Sequence, residues 1–198
     1  MPPLRAGLVV AFALAFALLA ACGREGPRFQ GSDVTGSAFG REFTLTDPSG
    51  KTRTLADFRG KAVVMFFGYT QCPDVCPTTL AMLSEAMKQL GPDADRVQVL
   101  FVTIDPERDT PELLAQYVPA FDKRFLGLRG DADATARTAK EFKVIYQKQP
   151  GATPGSYSMD HSAGLFLFDP QGRLRVYIGH NQATDIVTHD LRALLDRA

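Results

Sequence analysis

Cys72 and Cys76 stand four positions apart in the stretch GYTQCPDVCPTTL, residues 68–80, and each is followed by a proline. Two thiols at that spacing serve three kinds of chemistry: thiol–disulfide exchange, soft-metal ligation, or a covalent staple. Pro77 disfavours the α conformation at Cys76 and itself suits the first helical position. A helix is therefore predicted from about Pro77, with Cys76 at or beside its N-cap and Cys72 in the loop before it. A helix N-terminus carries unpaired N–H groups and partial positive charge, and both favour a thiolate over a thiol. Thiol–disulfide enzymes usually carry two residues between their cysteines. Here there are three, and the chain has no Trp. The longer loop can widen the bite between the sulfurs enough for a metal ion, so spacing alone leaves the three chemistries open. A disulfide closing so short a loop removes little chain entropy, which weakens the staple reading.

A third donor would favour a metal. The chain has three histidines. His189 falls in an amphipathic C-terminal helix and reads as a surface residue. His180, in YIGHNQ, reads as a turn residue. His161, in SYSMDHSAGLFLF, comes just before a strand expected to begin near Leu165. Two thiolates and one imidazole form a soft three-donor set suited to Cu(I) and able to hold Cu(II), and zinc accepts similar groups. A closed structural zinc site wants a fourth protein ligand, and no further cysteine is free to serve.

Whether His161 can meet the cysteines depends on the elements that carry them. EFTLTDPSGKTRTL reads as a β-hairpin turning at Asp47-Pro48-Ser49-Gly50. KAVVMFFGY and VQVLFVTID are apolar, β-branched and aromatic runs, as expected of buried central strands. TTLAMLSEAMKQLG has helical spacing up to Gly91. Thr110 and Pro111 open the next helix as N-cap and first residue, and DADATARTAKEF is another. GLFLFDPQGRLRVYIG is a second hairpin, turning at Asp169-Pro170-Gln171-Gly172, and TDIVTHDLRALLDR is the closing helix. A βαβ unit followed by ββα, with a cysteine pair after the first core strand, is the arrangement of an α/β thioredoxin-like fold, here with an N-terminal β-hairpin. In that fold the strand from Leu165 runs antiparallel to KAVVMFF, which brings His161 beside the cysteine loop.

The chain has 198 residues, with 22 basic and 22 acidic, and no internal repeat. A balanced charge gives no support to a nucleic-acid partner. The first residues differ from the rest. Arg5 precedes an uncharged apolar run, Ala6 to Ala21, that is short for a membrane span and ends in small residues, as a secretory signal does. Leu19-Ala20-Ala21-Cys22 resembles a bacterial lipobox, which implies a lipidated Cys22 as the mature N-terminus. The expected organisation is a lipoprotein signal peptide over 1–21, a lipidated flexible tether over 22–40, and a thioredoxin-like domain over 41–198. A Gly-rich coil of ~19 residues spans roughly 25 Å, enough to reach a membrane-bound partner. The domain is then expected to be exported and membrane-anchored, facing the periplasm or extracytoplasmic space. Such a compartment is oxidising, so an unprotected Cys72–Cys76 pair would tend toward a disulfide.

GYTQCPDVCPTTL, VTIDPERDT and DHSAGLFLFDPQG, in that order, resemble the Sco/SenC family of copper proteins, which assist cytochrome c oxidase assembly. The resemblance runs from about Arg41 to the C-terminus. It implies a metallochaperone that binds copper, as Cu(I) or Cu(II), through Cys72, Cys76 and His161. It also implies as partners the copper-accepting subunit of cytochrome c oxidase, other copper chaperones and thiol–disulfide reductases. One departure is Arg129, in FLGLRG, where the family commonly has threonine; it bears on partner contacts rather than on the ligands. Asp105 is a candidate for supporting the site, because the two core strands are parallel and end together. Asp109 reads more simply as helix-start chemistry. Asp160 is a candidate for orienting the second ring nitrogen of His161, although adjacent residues on an extended segment point apart. The main alternative is an exported thiol–disulfide oxidoreductase using the same cysteines, which has no need of His161. Peroxiredoxin chemistry is disfavoured, because the expected Thr/Ser pattern upstream of Cys72 is missing.

Overall fold

The computed structural model of the chain describes residues 28–196. The apolar run and Cys22 lie outside the described residues. The main sheet has six strands in the order β1-β10-β9-β4-β5-β6. These are β1 (Ser32–Asp33), β4 (Ala62–Gly68), β5 (Val97–Thr103), β6 (Leu126–Leu128), β9 (Leu165–Phe168) and β10 (Leu174–Ile178). Two hairpins stand apart from it, β2 (Leu45–Thr46) with β3 (Thr52–Arg53), and β7 (Tyr146–Pro150) with β8 (Tyr157–His161). The α-helices are α1 (Val75–Leu90), α2 (Pro111–Tyr117), α3 (Ala132–Glu141) and α4 (Thr184–Leu195).

β4 is buried along its whole length, and β5 nearly so. Successive side chains on a strand face opposite sides, so both faces of the sheet must be covered. Phe66 and Phe67 show the two covers. Phe66 packs with Phe101 on one face, and Phe67 packs with Phe142 and Phe166 on the other. β4 pairs parallel with β5 and antiparallel with β9, in the register Phe66↔Leu165 and Val63↔Phe168. The start of β9 therefore lies beside the end of β4, as the thioredoxin-like arrangement requires.

The two Asp-Pro-x-Gly turns close by the same chemistry. Asp47 accepts hydrogen bonds from the Ser49 and Lys51 amides, and Asp169 from those of Gln171 and Arg173. Gly50 and Gly172 sit at φ +85° and +77°, where a side chain would be strained. Thr110 caps α2 by accepting from the Leu113 amide, with Pro111 at the first position as expected.

Three features differ from the sequence reading. Residues 28–40, expected as the end of a tether, pack onto the domain. Ser32–Asp33 pairs with β10, and Phe29, Val34 and Phe39 lie against the core. The buried Asp190 carboxylate accepts from the Gln30 and Gly31 amides, each at 2.8 Å. A Cβ on Gly31 would come within 2.7 Å of Val176, so this glycine permits close approach rather than flexibility. Helix α1 starts at Val75, two residues before Pro77, which falls within the first turn, where its missing N–H costs no helical bond. The third feature is the β7–β8 hairpin, which the sequence pattern does not announce, since Met159 is the one buried residue of its two strands.

Candidate metal centre

The site forms where β4 ends. A Cβ at Gly68 would stand 2.8 Å from the Cys76 sulfur and 2.9 Å from the Phe101 ring, so the bare glycine makes the space that the sulfur fills. Residues 69–74 then turn back into α1, with the Cys72 amide donating to the Tyr69 carbonyl. Asp74, at the N-cap, makes no side-chain bond to the first-turn amides. The Cys76 amide instead donates to the Cys72 sulfur at 3.4 Å, so a thiol takes part of the capping role that an oxygen usually fills. Both cysteines are free; Cys72 is half-buried and Cys76 fully buried.

His161 is the last residue of β8, opposite Tyr146 of β7. Its Nε2 lies 3.6 Å from the Cys76 sulfur, and the two sulfurs and the imidazole nitrogen all lie within 4.8 Å of one another. The other ring nitrogen, Nδ1, is 3.0 Å from the Ser162 carbonyl. A carbonyl only accepts, so Nδ1 carries the proton and the Nε2 lone pair faces the sulfurs. The rings of Phe66 and Tyr69 stand 6.2 and 6.1 Å from the imidazole and wall it in. Burial holds the His161 pKa below its ordinary value, opposed by the Ser162 carbonyl. The ring is thus biased toward the neutral form that ligates.

Cys76 corrects an expectation. Its position in the first helical turn was expected to favour the thiolate. Burial instead pushes the thiol pKa strongly up, and the Tyr69 amide only partly opposes this. Removing water from around the sulfur works against the helix terminus. Without a metal, burial biases Cys76 toward the thiol.

The acidic candidates separate. Asp109 is fully buried and accepts from the Thr70 amide and hydroxyl and from the Thr103 hydroxyl at 2.5 Å. It ties the cysteine loop to the end of β5, rather than serving the helix-start chemistry that the sequence suggested. Burial raises its pKa. Asp105, 2% exposed, accepts from the Tyr157 hydroxyl and from Nε of Arg108. It therefore supports β8 from below. Asp160 points away from the imidazole and accepts from Gln149, as the alternation along β8 dictates. Arg129 donates to the Asp109 and Pro106 carbonyls, so it braces the 105–109 loop. His189 pairs with Asp190, and His180 lies in the turn after β10.

Sequence reasoning missed Tyr69, Arg108 and Tyr157. The Tyr69 hydroxyl accepts from the Met159 amide at 3.3 Å, joining the cysteine loop to β8 two residues before His161. An aromatic at the end of a buried strand gives no sign of such a contact.

The donor set fits copper. Two sulfurs and one imidazole nitrogen are soft ligands, and three donors fall one short of a closed structural zinc site. Among the described residues no other group of three or more His, Cys, Asp or Glu side chains is gathered in this way.

The family model described as SCO1/SenC matches residues 32–196. Protein SCO2 homolog, mitochondrial, of Mus musculus is 37% identical over 153 residues, covering 76% of this chain and 60% of its own length. The Homo sapiens protein of the same name is 38% identical, with 76% and 58% covered. The chain thus spans about three fifths of the length of these relatives. Bradyrhizobium japonicum ScoI with copper bound superposes with a TM-score of 0.73 at 40% identity, covering 80% of this chain and 100% of that one. Apo Sco1 of Thermus thermophilus gives 0.75 at 43% identity, with 87% and 100% covered.

Proposed function

The chain belongs to the SCO1/SenC family, and we propose that it is a copper metallochaperone that carries the ion on Cys72, Cys76 and His161 and delivers it for the assembly of cytochrome c oxidase. The observation that carries this reading is the convergence of three donor atoms within 4.8 Å at the end of β4. A dithiol oxidoreductase would have no use for an imidazole aimed at its buried sulfur.

The geometry supports an ordered exchange. Cys76 forms the inner wall, and Cys72 and His161, both half-buried, flank it; Cys72, in the loop before α1, is the thiol that an incoming protein can reach. Copper taken up at the site displaces the Cys76 proton, and the ion passes outward by ligand exchange at Cys72. The imidazole needs no deprotonation, because Nδ1 keeps its proton on the Ser162 carbonyl.

Thiol chemistry on the same pair is the second reading, favoured by two free thiols, one in the first turn of α1 and one in the loop before it. The Cys72 thiolate would attack a partner disulfide, releasing one partner thiolate and forming a mixed disulfide. The Cys76 sulfur, losing its proton, would attack Cys72 and release the second partner thiolate. Two electrons pass to the partner, and Cys72–Cys76 ends oxidised. The two roles are compatible, because a partner's cysteines must be reduced before they can accept copper.

The apolar run ending in Leu19-Ala20-Ala21-Cys22 supports lipidation at Cys22 and a membrane-anchored, extracytoplasmic domain. Among the described residues no helix is long and apolar enough to cross a membrane.

Deletion of the gene, with oxidase activity measured at limiting copper, tests the proposal. Wild type is expected to restore activity, and His161→Ala to fail while its dithiol stays redox-active. Full rescue by His161→Ala would favour the oxidoreductase, and no oxidase defect on deletion would remove the proposed recipient.

A further inference from the structure

The β7–β8 hairpin that carries His161 shares no backbone ladder with the six-stranded sheet, and its strands bury one residue, Met159. Tyr146 and Tyr157 add partial packing against the core, and directed polar contacts supplement this limited apolar seat. Arg108 supplies several of them. Its Nη1 donates to the Tyr157 carbonyl at 2.9 Å and to the Gln71 side chain at 3.1 Å, and its Nε donates to the Asp105 carboxylate. The guanidinium carbon sits over the Tyr157 ring, 3.5 Å from its centroid, and 5.6 Å from that of Tyr69. The Tyr157 hydroxyl closes the triangle by donating to Asp105 at 2.9 Å.

One side chain thus touches the residue before Cys72, the loop after β5, and the first residue of the strand that ends at His161. From this we infer that Arg108 is a positioning residue, locking the hairpin against the cysteine loop so that the imidazole stays over the sulfurs. The inference rests on the copper reading of the site. It needs a planar, multidentate cation. Lysine keeps the charge but loses both the fork and the stack on Tyr157. Lys148 also sits over the same ring, at 3.9 Å, and pairs with the exposed Glu107, but its ammonium lacks the fork that reaches Gln71 and the Tyr157 carbonyl.

The test compares wild type, Arg108→Met, Arg108→Lys and His161→Ala as full-length proteins. Amide hydrogen exchange is measured without metal, and the electron paramagnetic resonance spectrum and affinity are measured with Cu(II). Arg108→Met is expected to speed exchange across residues 146–161 while β4 and β5 keep wild-type protection. It should weaken Cu(II) binding by roughly 10–100-fold, as loss of a partner supporting a ligand does, and move the spectrum toward that of His161→Ala. Arg108→Lys should fall between. Wild-type exchange and spectra in both Arg108 variants would overturn the inference. So would faster exchange spread evenly over the sheet in both, which would make Arg108 a general stabiliser. If wild-type copper binding is indifferent to His161→Ala, the copper reading fails. The hairpin's exchange still decides whether Arg108 seats it.

Discussion

Nε2 of His161 faces the Cys76 sulfur across 3.6 Å, although 85 residues separate the two along the chain. The imidazole arrives on a hairpin and the thiol on a helix start, and the glycine at the end of β4 leaves the room in which they meet. Cys72→Ser, Cys76→Ser and His161→Ala should each weaken copper binding, with the cysteine changes costing most for Cu(I), which prefers sulfur. Competition against a chelator of known affinity measures this. Undiminished binding of both copper oxidation states by His161→Ala would remove the imidazole from the ligand set.

The two thiols should react in a fixed order. Cys72 is half-buried and Cys76 has no exposed surface. Alkylation of the reduced, metal-free protein near neutral pH should modify Cys72 first, as read by peptide mass spectrometry. Modification of Cys76 first would contradict the burial described.

Burial raises the folded-state pKa of Cys76 above its ordinary value of 9.0. The folded state therefore holds a proton that the unfolded chain loses as pH rises past that value. The stability linked to this proton is complete below pH 9 and declines above it. Copper uptake, which must expel the same proton, should tighten as pH rises. Binding isotherms and denaturant melts over an alkaline series check both signs.

His161 works in the opposite sense. Burial lowers its folded pKa below 6.5, so at low pH the unfolded chain takes up a proton that the folded ring resists. Metal-free stability should be unaffected by this group above pH 6.5 and fall as pH drops below it. His161→Ala should flatten that slope, and an unchanged slope would mean that other groups carry it.

Asp109 should matter more than an exposed acid. Asp109→Ala leaves the Thr70 amide and Thr103 hydroxyl without their partner, at a cost of about 1–3 kcal/mol, and frees the loop before Cys72. Gly68→Ala should disturb Cys76 directly, because the added methyl would lie 2.8 Å from its sulfur. Both should lower the melting temperature and copper affinity together. A melting-temperature loss with unchanged copper affinity would separate these residues from the site.

The legible part of the site was the part written in residue type and order. The cysteine spacing, the buried runs of β4 and β5, and the two Asp-Pro turns are local signals, and the position of His161 before β9 follows once β9 is laid antiparallel to β4. What could not be read depends on packing between distant segments. Asp109 before a helix looks the same in sequence whether it faces water or two threonines. The strand Tyr146–Pro150 is polar and ends in proline, so no alternation marks it. Gly31 sits in a polar stretch that composition assigns to a tether, while its role is to let the chain approach Val176. The helix terminus at Cys76 pointed to a thiolate because burial of the sulfur is invisible until Gly68 and Phe101 are seen around it.

If Cys72, Cys76 and His161 together hold copper, all three donors must appear around the bound ion. X-ray absorption at the copper edge on Cu(I)-loaded full-length protein tests this most directly. Two sulfur neighbours and one nitrogen neighbour are expected, with one sulfur lost in Cys76→Ser and the nitrogen lost in His161→Ala. A shell that keeps the same neighbours in His161→Ala, or that never contains two sulfurs, would contradict this assignment.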